Sequence, residues 1–216
     1  MGCDIHIIAE VKEDGVWREN TDKVFYDTWP SEGNHAEPNS NRNYDWFAVL
    51  ADVRNGRGFA GVKTGDGFIP IADPRGTPDD CNEAWKQSVE EWGIDMHSTG
   101  WLDANDFVEY DWTRKALKQG SIPLHVYANL EKGAAPKSSG HAWGRDVINL
   151  TPEKADKLLK SGHEDLPGEN LRHNVLVQWE VQYREYFNKE WENIIDPLIA
   201  LTKKYEDARL VFGFDN

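Results

Sequence analysis

The alternation of apolar and polar residues is clearest at the two ends of the chain. From Cys3 to Val11 (Cys-Asp-Ile-His-Ile-Ile-Ala-Glu-Val) an extended chain places Cys3, Ile5, Ile7, Ala9 and Val11 on one face and sets Asp4 and His6 side by side on the other. Lys12-Glu13-Asp14-Gly15 follows before Val16-Trp17 resumes the pattern, and Asp-Gly between apolar runs predicts an antiparallel hairpin. At the far end, Ala208-Arg209-Leu210-Val211-Phe212-Gly213-Phe214-Asp215 reads as a strand with Arg209 and Asp215 on one face. Between the ends, Asn43 to Val53 is apolar almost all round, which predicts a buried helix capped by Asn41 or Asn43, with Arg42 just before it and Arg54 just after. Thr77 as cap, Pro78 at the first helical position and Asp79 and Asp80 in the first turn predict a second helix with Cys81, Trp85, Val89 and Trp92 as its apolar stripe and Gly93 as its end.

Further on, Asp103 reads as the cap of a helix carrying Phe107, Tyr110, Arg114 and Leu117 along one face, Ile122 to Leu130 as a strand, and Leu150 to Gly162 as a short helix opened by Thr151-Pro152. Val175 to Tyr183 alternates like a strand, and the helix after it, through Phe187 to Leu201, contains Pro197 as a kink. Polar loops are expected near 27–41, 54–67 and 132–146, the last a lid-like segment with His141 and Trp143. This irregular mixture, opened by a hairpin, predicts an α+β fold: a single domain with a mixed, largely antiparallel sheet packed by several helices.

Composition narrows the function classes. A mean hydropathy of -0.71 with 39% hydrophobic residues indicates a polar-surfaced globular protein, and no apolar run approaches the ~18 residues of a membrane span. Two cysteines, Cys3 and Cys81, fit a reduced cytoplasmic protein in which both are packed. The formal net charge of -14 argues against a long nucleic acid as partner, while leaving room for a small anionic ligand where a few arginines converge. Gly56-Arg57-Gly58-Phe59-Ala60-Gly61 has the spacing of a dinucleotide fingerprint but follows a helix and opens none, so it reads as a loop.

Candidate chemistry centres on Asp4 and His6, because a carboxylate beside an imidazole can fix its tautomer or share a metal ion with it. Asp95-Met96-His97 repeats the spacing in a chain with 7 histidines, and convergence of the two pairs is the expectation, against the plainer reading of a solvated strand edge. Arg75, just ahead of the predicted helix start, is placed to bind an anion with free backbone N–H groups, or else to pair with Asp79 or Asp80.

Met1-Gly2-Cys3-Asp4-Ile5-His6, the block Arg42-Asn43-Tyr44-Asp45-Trp46-Phe47-Ala48-Val49-Leu50, the Pro74-Arg75-Gly76 turn, the Asp95-x-His97-Ser98-x-x-Trp101 element and the closing Arg209 to Asp215 together resemble a family of uncharacterised, often phage-encoded proteins that begin with this same hexapeptide. The resemblance spans nearly the whole chain. It implies a small protein of the host cytoplasm that manipulates its host, for example an anti-defence factor that destroys or sequesters a nucleotide immune signal. The first expectation is therefore a phosphodiesterase-like hydrolase acting on a small nucleotide such as a cyclic dinucleotide. Asp4, His6, Asp95 and His97 would form either a divalent-cation site suited to Mn²⁺ or Zn²⁺ or a general base and acid. Arg42, Arg54 and Arg75 would neutralise phosphate charge, and Tyr44, Ser98, Trp101 and Asp215 would complete the substrate contacts. The alternative is a sponge that encloses the nucleotide in a pocket or at an interface of a homo-oligomer, without chemistry. A structural module whose Asp-x-His pairs only satisfy buried polar groups is the third reading.

Overall fold

The structure, a computed structural model, describes residues 2–26, 33–39, 41–130, 133, 136, 147–162 and 172–215. Most of the lid-like 132–146 segment, with His141 and Trp143, and part of the 27–41 loop lie outside them. Contacts divide the chain into two compact units: Met1–Val62 with Phe68–Arg114 and Gln182–Asn216, and Lys63–Gly67 with Lys115–Val181. In chain order the first unit begins with β1 (Asp4–Glu13), β2 (Val16–Glu19), β3 (Phe25–Tyr26), β4 (Asn34–His35), α1 (Tyr44–Ala51), α2 (Glu83–Trp92), β5 (His97–Asp103) and α3 (Ala104–Glu109). The second unit holds β6 (Lys115–Pro123), α4 (Leu124–Leu130), β7 (Val147–Leu150), α5 (Pro152–Lys160) and β8 (Arg172–Gln182), whose strands run in the order β6-β8-β7. The chain then returns to the first unit through α6 (Tyr183–Tyr186), α7 (Asn188–Glu190), α8 (Asp196–Leu201) and β9 (Asp207–Asp215). The fold is α+β, a mixed and mostly antiparallel set of strands packed by helices.

In the first unit the sheet order is β2-β1-β9-β5, antiparallel throughout, so the first and last strands lie at its centre. The opening hairpin forms where the sequence places it. Glu13 pairs with Val16, and Asp14 (φ 51°) and Gly15 (φ 74°) take the two left-handed positions of a type I′ turn. The buried face of the sheet carries Ala9 and Val11 of β1 beside Ala208, Leu210, Phe212 and Phe214 of β9, and Phe47 of α1 meets Phe214 at 5.1 Å. Asn43 is the cap of α1; its side chain accepts from the N–H groups of Asp45 and Trp46, and every residue from Trp46 to Leu50 is buried. On the opposite face α2 covers the middle of the sheet, where Cys81, Trp85, Met96 and Val211 form a core flanked by Ile8 and Trp101.

Three expectations are corrected. The second helix starts at Glu83, not at Pro78, because its cap is Asn82, whose side chain accepts from Trp85 N–H. Asn82 is itself pinned: Glu10 Oε1 accepts from its backbone N–H at 2.5 Å and from its Nδ2 at 2.8 Å. Ile122 to Leu130 is not a strand; β6 ends at Pro123 and α4 begins, burying Leu124 and Tyr127 at helical spacing. The helix capped by Asp103 stops at Glu109 with a full Asp103/Asp106 capping box, so Arg114 and Leu117 do not continue its face. The run before α8 opens into a π turn over Trp191–Ile195, immediately ahead of Pro197, which is how the helix accommodates a residue without an N–H.

Candidate functional site

The register that pairs Asp4 with Asp215 and His6 with Gly213 brings both ends of the chain into one cluster. Asp215 orients it with both oxygens: Oδ1 accepts from Asp4 N–H at 3.0 Å and Oδ2 lies 3.1 Å from His6 Nε2. The carboxylate is an acceptor, so His6 carries its proton on Nε2, and in the neutral ring Nδ1 is left as an unprotonated base. Both side chains are only partly exposed, His6 25% and Asp215 16%. The His6 ring lies 4.3 Å from that of Trp92, the last residue of α2, where Gly93 at φ 53° turns the chain away. Asp4 is gripped at both oxygens by Arg42, through Nε at 2.7 Å and through Nη2, and this pairing holds its carboxyl below the ordinary aspartate range. Gly2 permits the approach, since a Cβ there would stand 2.5 Å from Arg42 Nη1. Next to it, Tyr44 Oη accepts from Cys3 N–H at 3.3 Å and Arg54 lies over the Tyr44 ring at 5.4 Å. The Cys3 thiol is raised by burial, with Arg54 opposing that shift.

Four of the candidates therefore gather, Asp4, His6, Arg42 and Asp215, while Tyr44 and Arg54 lie with Cys3 beside them. Trp92 joins them although its spacing marks it as core stripe; the signal for another role is its place as the last residue before a helix-ending glycine, where the residue stays 38% exposed.

The second Asp-x-His pair does not join. His97 pairs with Phe214, and its ring lies 6.2 Å from the Phe214 ring, whereas His6 contacts Asp215. Residues 214 and 215 project from opposite faces of β9, so the two histidines lie on opposite faces of the sheet. Asp95 is exposed in the single 3-10 turn Gly93–Asp95 ahead of β5. Among the described residues no three or more His, Cys, Asp or Glu side chains are placed to share a metal ion, so the four-residue set suggested for Mn²⁺ or Zn²⁺ is not assembled. Arg75 points neither to the His6 cluster nor to Asp79 or Asp80. It binds Asp106, with Nη2 2.7 Å from Oδ1, and lies over the Trp101 ring at 4.5 Å. Arg75, Ser98 and Trp101 line a different, small cavity of about 60 Å³ with Leu50, Asp73 and Phe212.

No protein-family model, curated protein or solved structure matches the chain. What the cluster can do follows from its groups. Asp215 fixes the imidazole, supports the positive charge His6 acquires when it takes a proton, and leaves Nδ1 turned away from the pair. That is the arrangement of an oriented general base. One guanidinium, Arg42, and an exposed indole edge stand beside it, and Arg42 is already neutralised by Asp4; Arg54 lies with Tyr44 and Cys3 instead.

Proposed function

We propose that this chain is a hydrolase that cleaves a phosphodiester bond in a small nucleotide signal, with the His6–Asp215 pair as its general base. The carrying observation is the 3.1 Å contact between Asp215 Oδ2 and His6 Nε2, which sets the tautomer and leaves Nδ1 basic. In the reaction, Nδ1 takes a proton from water as the water oxygen bonds to phosphorus. The bond from phosphorus to the leaving ribose oxygen breaks, that oxygen takes a proton from solvent, and His6 returns its own proton to solvent. Arg42 reaches the developing phosphorane by exchanging Asp4 for a phosphate oxygen, and the Trp92 ring beside the imidazole offers a face on which a nucleobase stacks. The net charge of -14 favours a small ligand over a long polyanion. Together with the resemblance of the sequence motifs to phage-encoded proteins, this suggests removal of a nucleotide immune signal in an infected cell.

Incubating the protein with a panel of cyclic dinucleotides, and separating the mixture by chromatography before and after heat denaturation, tests the reading. A linear product that appears with wild type, and falls by roughly 10²–10⁴-fold with His6→Ala, supports it. Intact ligand released only on heating replaces catalysis by sequestration, and neither product nor retained ligand across the panel removes both.

A further inference from the structure

On the far side of β9 from His6, the strand β5 carries an irregularity. Its ladder pairs His97 with Phe214 and Gly100 with Phe212, so Ser98 and Thr99 together face Gly213 alone, which is a β-bulge. The bulge relies on that glycine, because a Cβ on Gly213 would come within 2.4 Å of Met96 Sδ and 3.2 Å of Thr99 Cγ2. Ser98 sits in it at φ 50°, a left-handed conformation that a serine adopts only at a cost. The result is that its hydroxyl is turned back onto the preceding side chain: Oγ lies 3.0 Å from His97 Nδ1. Among the described residues His97 is otherwise held by packing, its ring against Phe214 and its Nε2 buried without a hydrogen-bond partner. Ser98 also lines the cavity of about 60 Å³ whose wall includes Arg75 and Thr99.

We propose that Ser98 is a covalent nucleophile, with His97 as its base, toward small carboxylic esters. A strained backbone at an exposed serine, an imidazole nitrogen within hydrogen-bond distance of its hydroxyl and a cavity lined by the same residue are three of the parts that acyl transfer uses. A cavity of about 60 Å³ has room only for a small group, which suits a short acyl chain. Its one guanidinium, Arg75, is already neutralised by Asp106, which disfavours a doubly charged phosphoryl group. Oγ bonds to the carbonyl carbon as its proton passes to Nδ1. The bond to the alcohol oxygen then breaks and the alcohol leaves with that proton. Water, deprotonated in turn by Nδ1, displaces the acyl group and the proton returns to Oγ. With no carboxylate behind Nε2 among the described residues, turnover is confined to activated esters.

This activity is independent of the His6 pair, and its test reads the adduct on Ser98 itself. The whole protein is treated with a fluorophosphonate probe and with p-nitrophenyl acetate, and the product is weighed intact and after digestion. One adduct per chain on the peptide containing Ser98 is expected, with a matching burst of p-nitrophenolate, and His97→Asn is expected to slow labelling by roughly 10²-fold. Ser98→Gly separates loss of chemistry from loss of fold: glycine accepts the left-handed φ freely, so this variant loses the adduct while melting roughly 2–4 °C higher. No adduct on Ser98, or labelling at the same rate in His97→Asn, overturns the proposal. So does a lower melting temperature for Ser98→Gly, which would show that the bulge holds serine without strain.

Discussion

Asp215 meets two partners that lie more than 200 positions earlier in the chain, Asp4 through its backbone N–H and His6 through its ring. Asp215→Asn keeps the shape of that contact, but the amide presents a donor as well as an acceptor to Nε2. The imidazole can then carry its proton on Nδ1, and the base is lost. For the proposed hydrolysis the expected result is a fall in kcat of roughly 10²–10⁴-fold with little change in melting temperature, because the contact lies at the partly exposed end of the strands. A second residue-scale prediction concerns Glu37. Its Oε2 accepts from Ala9 N–H at 2.7 Å and its Oε1 is buried without a partner among the described residues. Burial, aided by the nearby Glu19 and Glu10, pushes its carboxyl up from 4.5 to about 8. The folded protein then keeps a proton that the unfolded chain has already lost, so stability should decline as pH rises from 4.5 to about 8 and level off beyond. Melting curves across that range should show the slope in wild type and a flatter profile in Glu37→Gln. At this scale the sequence was legible where chemistry is local. Asp4 beside His6 follows from the two-residue period of a strand, but nothing near them indicates that Asp215 completes the pair or that His97 falls on the opposite face.

Among the elements, those governed by neighbouring residues match their sequence signals. Asp14-Gly15 makes its hairpin, Asn43 caps α1, and Asp103 with Asp106 closes the capping box of α3. The start of α2 does not match, because two good caps compete and a distant group chooses between them. Thr77-Pro78 is the stronger local signal, yet Glu10 reaches across from β1 to hold Asn82 by its backbone and its side chain. The misread of Ile122 to Leu130 has a similar origin: nine residues with apolar positions satisfy a strand and a helix almost equally, and the ambiguity is resolved only by Pro123 ending the ladder. Replacing each cap by alanine tests this account. Asn82→Ala should cost about 1–2 kcal/mol in urea unfolding, since it removes a cap and one of the bonds to a buried carboxylate, while Thr77→Ala should stay within about 0.5 kcal/mol. Equal effects of the two would return the helix start to Thr77.

Across the first unit as a whole, one ion pair joins the central strands to the helix that covers them. Glu10 is 0% exposed and Arg209 3%; Arg209 Nε lies 2.6 Å from Glu10 Oε2, and its Nη2 reaches Asp80 at 2.9 Å. The guanidinium also lies 3.9 Å from the Trp17 ring centre and 5.5 Å from that of Trp101. A net charge of -14 gives no hint of it, because the sum over 38 acidic and 24 basic residues says nothing about which single pair is taken out of water. Desolvating two charges offsets most of their attraction, so the pair contributes to the positioning of β1, β9 and α2 more than to net stability. Removing one partner is a different matter. Arg209→Met leaves a buried carboxylate with only Asn82 to satisfy it, and should destabilise the protein by about 3–5 kcal/mol. Adding Glu10→Leu to that variant removes the stranded charge and should recover a large part of the loss, leaving mainly the unpaired Asn82 amide, worth about 1–3 kcal/mol. Urea unfolding of the two single variants and the double gives the coupling directly. Additive losses would mean that Glu10 and Arg209 are held independently by their neighbours and that the pair does not organise the sheet.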